Sequence, residues 1–226
     1  MSAVWKAVIF DLDGTLVDTL PDVGRCIAQA LTVCGQPAEP WPSYRRMIGG
    51  GIKEELAKVV PPGCLEEVVA RYTGFYEKDC MLYSAPYPGA QDCLKSLHHA
   101  GLRLGVITNK RDINAKRIIS GFFPHIPMEF VWGRGSGRPM KPDPASGHAA
   151  CRQLRLRPEE ILFVGDGPET DIAFAKSLGF GSAGVSWGYR SRAEMEAAAP
   201  DHIADSFSEL TDWVLTPGPL WKEQKN

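Results

Sequence analysis

Short runs dense in Val, Ile, Leu and Phe recur along the chain and alternate with stretches whose apolar positions repeat at helical spacing. The runs are Val4–Phe10, Leu102–Thr108, Glu129–Trp132, Ile161–Gly165 and Ser182–Ser186. Several are nearly continuous in apolar residues, the pattern of parallel strands buried on both faces. Between them, Ala90, Cys93, Leu94 and Leu97, and again Ile172, Ala175 and Leu178, mark the apolar faces of amphipathic helices. This repeated strand–helix–strand order predicts an α/β fold built on an open, doubly wound parallel sheet. Ser191 with Glu194, and Ser206 with Glu209, are S-x-x-E capping boxes that start the last helices. The polar, Pro/Gly-containing end, Thr216–Asn226, reads as a loose tail.

From Asp18 to Tyr83 the alternation stops and only helical patterning remains. Val23, Cys26, Ile27, Ala30, Leu31 and Cys34 share one helix face, with Pro21 near its start and Gly35 past its end. Ile52–Val60 and Leu65–Cys80 read as further helices, separated by the breaker Pro61-Pro62-Gly63. A helical block of roughly 65 residues is small for an independent core. It is expected to pack on the main domain as a lid, with hinges near Asp18 and Ser84. The division predicted is an α/β core, residues 1–17 and 84–226, and a helical cap domain, residues 18–83, inserted after the first strand.

Composition narrows the partners. The chain has 226 residues, 44% of them apolar, enough for a sizeable core. A formal net charge of −2 and the lack of a basic block, Arg152, Arg155 and Arg157 being separated by apolar residues, argue against nucleic acid or an anionic membrane as partner. The six cysteines form no CxxC pair, and a domain of this size needs no disulfide staples. Met1 leads into a strand without a basic leader, which reads as a soluble cytoplasmic protein. Monomer and homodimer both remain compatible with the chain.

Ligands of open parallel sheets bind at the carboxyl ends of the strands, so the residues there define the chemistry. Asp11-Leu12-Asp13-Gly14-Thr15 follows the first run, and Thr108-Asn109-Lys110 follows Leu102–Ile107. A loop delivers Lys141 in KPDP, and Asp166 and Asp171 follow Ile161–Gly165. This set suits attack by a carboxylate on a phosphate ester. A carboxylate about 4 Å from a phosphate dianion faces repulsion of about 8 kcal/mol at an effective dielectric near 20. Mg²⁺ held by Asp11 and Asp166, together with the Lys141 ammonium, offsets it. Asp13 can protonate the leaving alkoxide and then activate water. Thr108 and the backbone amides of Leu12, Asp13 and Asn109 can donate to phosphoryl oxygens. Gly14 lets the loop turn tightly around the phosphate, with Thr15 beside it.

Plainer roles compete at several positions. Asp18 can be a helix-dipole partner rather than a hinge or substrate residue, and Asp171 can be the N-cap of Ile172–Leu178. Lys141 can be a solvated loop lysine, and Thr108 can simply end a strand. The glycine runs at Gly49–Gly51 and Gly133–Gly137 lack dinucleotide spacing, and the five histidines lack ligand spacing.

DLDGTLVDT at Asp11–Thr19 resembles the first motif, D-x-D-G-T, of the haloacid dehalogenase-like (HAD) phosphohydrolases. VITNK at Val106–Lys110 resembles their second motif, Lys141 their third, and GDGPETD at Gly165–Asp171 their fourth. The helical insert is similar to the first-type cap of that family, whose core is Rossmann-like. The resemblance implies Asp11 as nucleophile, Asp13 as general acid/base, Thr108 and Lys141 as phosphate-site residues, and Asp166 as a metal ligand. It also implies the backbone carbonyl of Asp13 as a further ligand. Four residues separate Asp166 from Asp171 where many relatives have three. Asp171 is retained as a metal-site residue, with Glu169 as competitor and Mg²⁺ against Mn²⁺ left open.

Within the superfamily the chain is most similar to phosphoglycolate phosphatases, in DLDGTLVDT, the I-G-G-G turn, Y-P-G-A, TNK and KPDP. The implied substrate is a small phosphorylated metabolite such as 2-phosphoglycolate. The glycine turn around Gly50 opens a helix whose free N–H groups can receive a carboxylate, and Arg45 and Arg46 can add charge there. A nucleotidase, a pyrophosphatase or a β-phosphoglucomutase-like mutase is the alternative within the family. A phospho-accepting signalling module is the alternative outside it.

Overall fold

The computed structural model describes residues 5–216. Along the chain run β1 (Ala7–Phe10), β2 (Val17–Asp18), α1 (Leu20–Val33), α2 (Ile52–Leu56), α3 (Pro62–Asp79), β3 (Ala85–Pro86), α4 (Ala90–His99) and β4 (Arg103–Arg111). Then come α5 (Asp112–Phe122), β5 (Phe130–Arg134), α6 (Ala145–Leu154), β6 (Ile161–Gly165), α7 (Ala173–Leu178), β7 (Gly181–Val185), α8 (Arg192–Ala197), β8 (His202–Ala204) and α9 (Phe207–Leu215). Among these residues no helix is long and apolar enough to cross a membrane.

Six strands form one parallel sheet in the order β5-β4-β1-β6-β7-β8. Val8, in the middle, faces Leu104 on one side and Leu162 on the other. Alternate residues leave opposite faces of the sheet. Val8, Phe10, Val106 and Val164 pack with Leu94, Ile118 and Leu210 of α4, α5 and α9. Ala7, Ile9, Ile107 and Phe163 pack with Leu154, Phe174 and Leu178 of α6 and α7. Both faces are covered, so β1 and β6 are buried at every position and read as unbroken apolar runs. The doubly wound α/β class expected from the pattern is the one observed.

Topology positions the site. The chain steps outward from β1 to β4 and β5, then returns to β6 on the other side of β1. The strand order reverses there, so a crevice opens at the carboxyl ends of β1 and β6.

The segment between β1 and α4 holds helices joined by turns, with strand only in two residues at each end. Val17–Asp18 and Ala85–Pro86 pair antiparallel where the insert leaves and rejoins the sheet domain. Two residues carry no readable alternation, which is why the sequence shows no strand there. On α1 the buried face is Leu20, Val23, Cys26, Ile27, Ala30 and Leu31, packed on α3; Cys34 sits at the helix end, half-buried. The helix expected over Ile52–Val60 stops at Leu56 and closes in tight turns, because Val60 precedes Pro61 and is biased away from helical geometry. Pro62, read as a breaker, instead opens α3, where a missing N–H costs nothing.

Three further differences concern the sheet domain. β4 continues to Arg111, so Thr108, Asn109 and Lys110 lie within the strand; their polarity hides it, while pairing of Arg111 with Arg134 extends it. β8 was not expected, being three residues at the edge. Ser191 and Glu194 form the full capping box, but Glu209 turns its carboxylate to the Asp205 N–H, leaving Ser206 to cap alone. Val4, and the tail from residue 217 onward, fall outside the described residues.

Candidate active site

The acidic groups converge at the strand-order reversal. Asp11 follows β1, Asp166 follows β6, and Asp171 lies in the turn leading to α7. Their ligand atoms all lie within 4.8 Å of one another, and all three side chains are buried. Glu169 is exposed and is not in this group. Asp171 does not act as a helix cap. Its Oδ1 accepts from Lys141 Nζ at 2.7 Å and its Oδ2 from the Gly167 N–H at 2.8 Å.

Lys141 is 4% exposed, which removes the solvated-loop alternative. Its ammonium lies 3.0 Å from Asp11 Oδ1 and above the Phe163 ring. Burial works against its charge, but Asp11 and Asp171 outweigh burial and hold its pKa above the ordinary lysine value. By distance the Lys141–Asp11 contact is an ion pair, yet its angle is not that of a hydrogen bond, and Asp11 Oδ1 has no aligned donor.

Three buried carboxylates around one lysine leave negative charge in excess. Burial first, then Asp171 and Asp13, raise Asp11 to about 6 against the opposing pull of Lys141. Burial, then Asp171 and Asp11, raise Asp166 to about 8, although the Tyr189 N–H donates to its Oδ2 at 2.7 Å. An all-oxygen donor set with an orphaned oxygen on Asp11 fits a hard divalent cation.

Asp13 belongs to the neighbouring cleft. Its Oδ1 accepts from Thr19 Oγ1 at 2.5 Å and from Lys110 Nζ at 2.8 Å, with the Lys110 and Asp13 side chains both buried. The cleft lies between the sheet domain and the insert and encloses about 590 Å³, its open mouth included. Asp11, Asp13, Thr108, Asn109 and Lys110 form its floor, and Met47, Ile48, Tyr72 and Tyr76 its roof. The Asn109 side chain is committed to structure: it donates to the Gly49 and Lys141 carbonyls and accepts from the Lys141 N–H.

Four residues expected at the substrate are not among those lining this cleft, although Gly49 and Gly51, on either side of Gly50, are. Gly14 has φ +78, and a Cβ there would come within 2.5 Å of Asp166 Oδ2 and 2.8 Å of the Tyr189 ring. Its bare backbone leaves room for the acidic cluster. Thr15 is fully buried, and its hydroxyl donates to Asp166 Oδ1 at 3.3 Å. Arg45 donates to the carbonyls of Gly188 and Tyr189, fastening the insert to a loop of the sheet domain. Gly50 has the Glu55 carboxylate 2.5 Å from where its Cβ would be, so the start of α2 already carries its own negative charge.

Other residues carry more of the site than the sequence suggested. Lys110 stood in the TNK motif without a role. Tyr189 accepts from the Thr19 and Leu20 N–H groups through its hydroxyl, at 2.8 and 3.0 Å, and donates it to Asp18 at 3.1 Å. Asp18 also accepts from the Leu20 N–H, as expected of an acid opening a helix. The available signal for Tyr189 was an aromatic residue in the loop after the β7 strand end.

A parallel sheet with buried acids and a lysine gathered at its strand-order reversal defines an α/β enzyme. The family model for haloacid dehalogenase-like hydrolases matches residues 5–179, and the chain belongs to that family. It is 33% identical over 225 residues to the phosphoglycolate phosphatase of Rhodospirillum rubrum, covering 95% of this chain and 92% of that one. It is 29% identical over 222 residues to the phosphoglycolate phosphatase of Haemophilus influenzae, covering 93% and 98%. Among solved structures, a predicted phosphoglycolate phosphatase from Haemophilus somnus superposes with a TM-score of 0.85 at 28% identity, over 92% of this chain and 97% of that one.

Proposed function

We propose that this hydrolase is a Mg²⁺-dependent phosphomonoesterase that acts through an aspartyl-phosphate on Asp11, with 2-phosphoglycolate as its substrate. The observation that carries the reading is the juxtaposition of Asp11, ion-paired to Lys141 within a cation-ready acidic cluster, with Asp13 in the adjoining cleft. The choice of substrate is supported by the names of the relatives. We take residues 18–83 as a cap domain over the core formed by 1–17 and 84–226. Six unpaired thiols suit the cytoplasm.

In this mechanism an Asp11 carboxylate oxygen attacks phosphorus, and the bond from phosphorus to the ester oxygen breaks. Asp13 delivers a proton to that oxygen as it leaves. Asp13, now ionised, takes a proton from water, whose oxygen attacks phosphorus; the phosphorus–Asp11 bond breaks and phosphate is released. Lys141 holds Asp11 in place and balances charge on the transferred group, and the Thr108 hydroxyl donates to its oxygens. Asp11, Asp166, Asp171 and the Asp13 carbonyl would hold Mg²⁺, which supplies Lewis-acid neutralisation of phosphoryl charge when bound.

The deciding experiment is release of inorganic phosphate from 2-phosphoglycolate with Mg²⁺ by the wild type and by Asp11→Asn. Turnover by the wild type, with loss of at least about a thousandfold in the variant, is expected. Substantial activity in Asp11→Asn would remove the nucleophile, and faster turnover of a nucleoside monophosphate or pyrophosphate would remove the substrate.

A further inference from the structure

The phosphoryl end of the cleft is provided for by Lys141, Thr108 and the acidic cluster. On the far side of Asp13 the walls hold groups for which that chemistry has no use. Tyr76, on α3, is 2% exposed, and its hydroxyl is buried without a hydrogen-bond partner. A buried polar group left unpaired in a native fold calls for an explanation, and a ligand that pairs with it is one. Tyr76 and Asp13 line the same cleft, and the Lys110 ammonium touches both, 2.8 Å from Asp13 Oδ1 and 4.6 Å from the centre of the Tyr76 ring. Tyr72, one turn earlier, stacks on it with ring centroids 5.5 Å apart, and Arg134 lines the same cleft.

The cations on this side differ in how firmly they are held. Lys110 Nζ lies 4.6 Å from the centre of the Tyr76 ring while it holds Asp13. Arg111 is committed to Glu77. Arg134, at the end of β5, lines the cleft with only a loose partner: Glu54 is 3.7 Å away and half-exposed. A solvated contact of that length holds an arginine weakly.

We propose that the part of the cleft beyond Asp13 is a subsite for an anionic leaving group, a carboxylate, received by the Tyr76 hydroxyl and the Arg134 guanidinium, with Lys110 supplying further positive charge. The proposal rests on the phosphatase reading above and moves recognition of the carboxylate from Arg45 and the glycine turn to α3 and the end of β5. Arg134 exchanges its exposed partner for the substrate, and the Tyr76 hydroxyl gains the acceptor it lacks. A neutral leaving group of equal length would leave both unserved, so discrimination comes from unpaired polar groups rather than from size.

The test compares kcat/KM for 2-phosphoglycolate with that for ethyl phosphate, which has a neutral leaving group of similar length, using the Mg²⁺-loaded full chain. Calorimetric titration with glycolate is run in parallel. The wild type should favour phosphoglycolate strongly. That preference should fall about tenfold in Tyr76→Phe and at least as much in Arg134→Gln, the scale of one lost hydrogen bond to a charged group. Glycolate binding should weaken in both variants. Tyr76→Phe should melt at the wild-type temperature or above, because its hydroxyl has no partner to lose.

An unchanged preference in both variants overturns the subsite, as does wild-type turnover of ethyl or phenyl phosphate equal to that of phosphoglycolate. A lowered melting temperature for Tyr76→Phe would show a structural partner and also end it. If the wild type hydrolyses no phosphomonoester, the phosphatase reading fails, and glycolate decides the subsite separately. Saturable binding weakened by both substitutions then sustains it, and its absence ends it.

Discussion

The Tyr189 backbone N–H donates to Asp166 Oδ2 at 2.7 Å, so the residue that steadies the acidic cluster is also the one whose hydroxyl receives the first N–H groups of α1. Helix starts leave N–H groups without intrahelical partners, and here the acceptor comes from a loop 170 positions away in sequence. Tyr189→Phe keeps the backbone bond to Asp166 and removes the acceptor from Thr19 and Leu20. A loss of about 2 kcal/mol in urea unfolding is expected, with a weaker hold on the entry to the insert. An unchanged unfolding midpoint would show that water replaces the hydroxyl.

Lys110 and Asp13 form an ion pair in which both side chains are nearly closed to solvent. Removing one member of such a pair strands the other charge, at a cost of about 3 kcal/mol. Lys110→Met should show that loss of stability together with a fall in kcat, since Asp13 then keeps only Thr19 to orient it. Lys110→Arg should restore part of the stability. Chemical denaturation and initial-rate kinetics on the same preparations measure both effects.

Metal-free protein should become less stable as pH rises. Burial and mutual repulsion place Asp11 at about 6 and Asp166 at about 8, above the 3.8 of an unperturbed aspartate. Between these values the folded chain holds more protons than the unfolded one. The stabilising contribution is therefore complete below about pH 4 and is lost as pH climbs through 6 and then 8. Divalent-cation binding needs the ionised carboxylates and runs the other way. Melting curves in chelator should shift downward from about pH 5 to about pH 8.5, and the rise on adding Mg²⁺ should be larger at the higher pH. A Mg²⁺ effect that shrinks with pH would contradict the assignment of these acids.

Asp22 has no solvent exposure and joins the two ends of the insert. Its carboxylate accepts from the Tyr83 N–H at 2.9 Å, and from the Ser84 N–H and hydroxyl at 2.7 Å each. Asp22→Ala leaves the buried N–H and hydroxyl of Ser84 unpaired, and a loss of about 3 kcal/mol is expected. Proteolysis near Tyr83 and Ser84 should quicken in the variant. Unaltered cleavage there would mean that β2 and β3 alone hold the junction.

The candidate site of this protein was legible in one dimension because its parts are local. Asp11 and Asp13 share a loop, Lys141 and Asp171 stand in short motifs, and buried parallel strands leave apolar runs that announce where each strand ends. The contacts that line the cleft were not legible in that way. Arg45 looked like an anion receptor but is used in fastening loops, and Gly14 and Thr15 serve Asp166. Tyr76, inside a segment read only as helix, carries an unpaired hydroxyl into a cleft. Lys110 acquired a partner 97 positions away only when β4 came to lie beside β1. The sequence alone determined the parallel sheet and the acids and lysine that stand at its strand ends, since periodicity and short motifs depend on neighbouring residues. Only the tertiary structure decided which side chains meet across the cleft, because those contacts depend on how the helical insert packs over the strand ends.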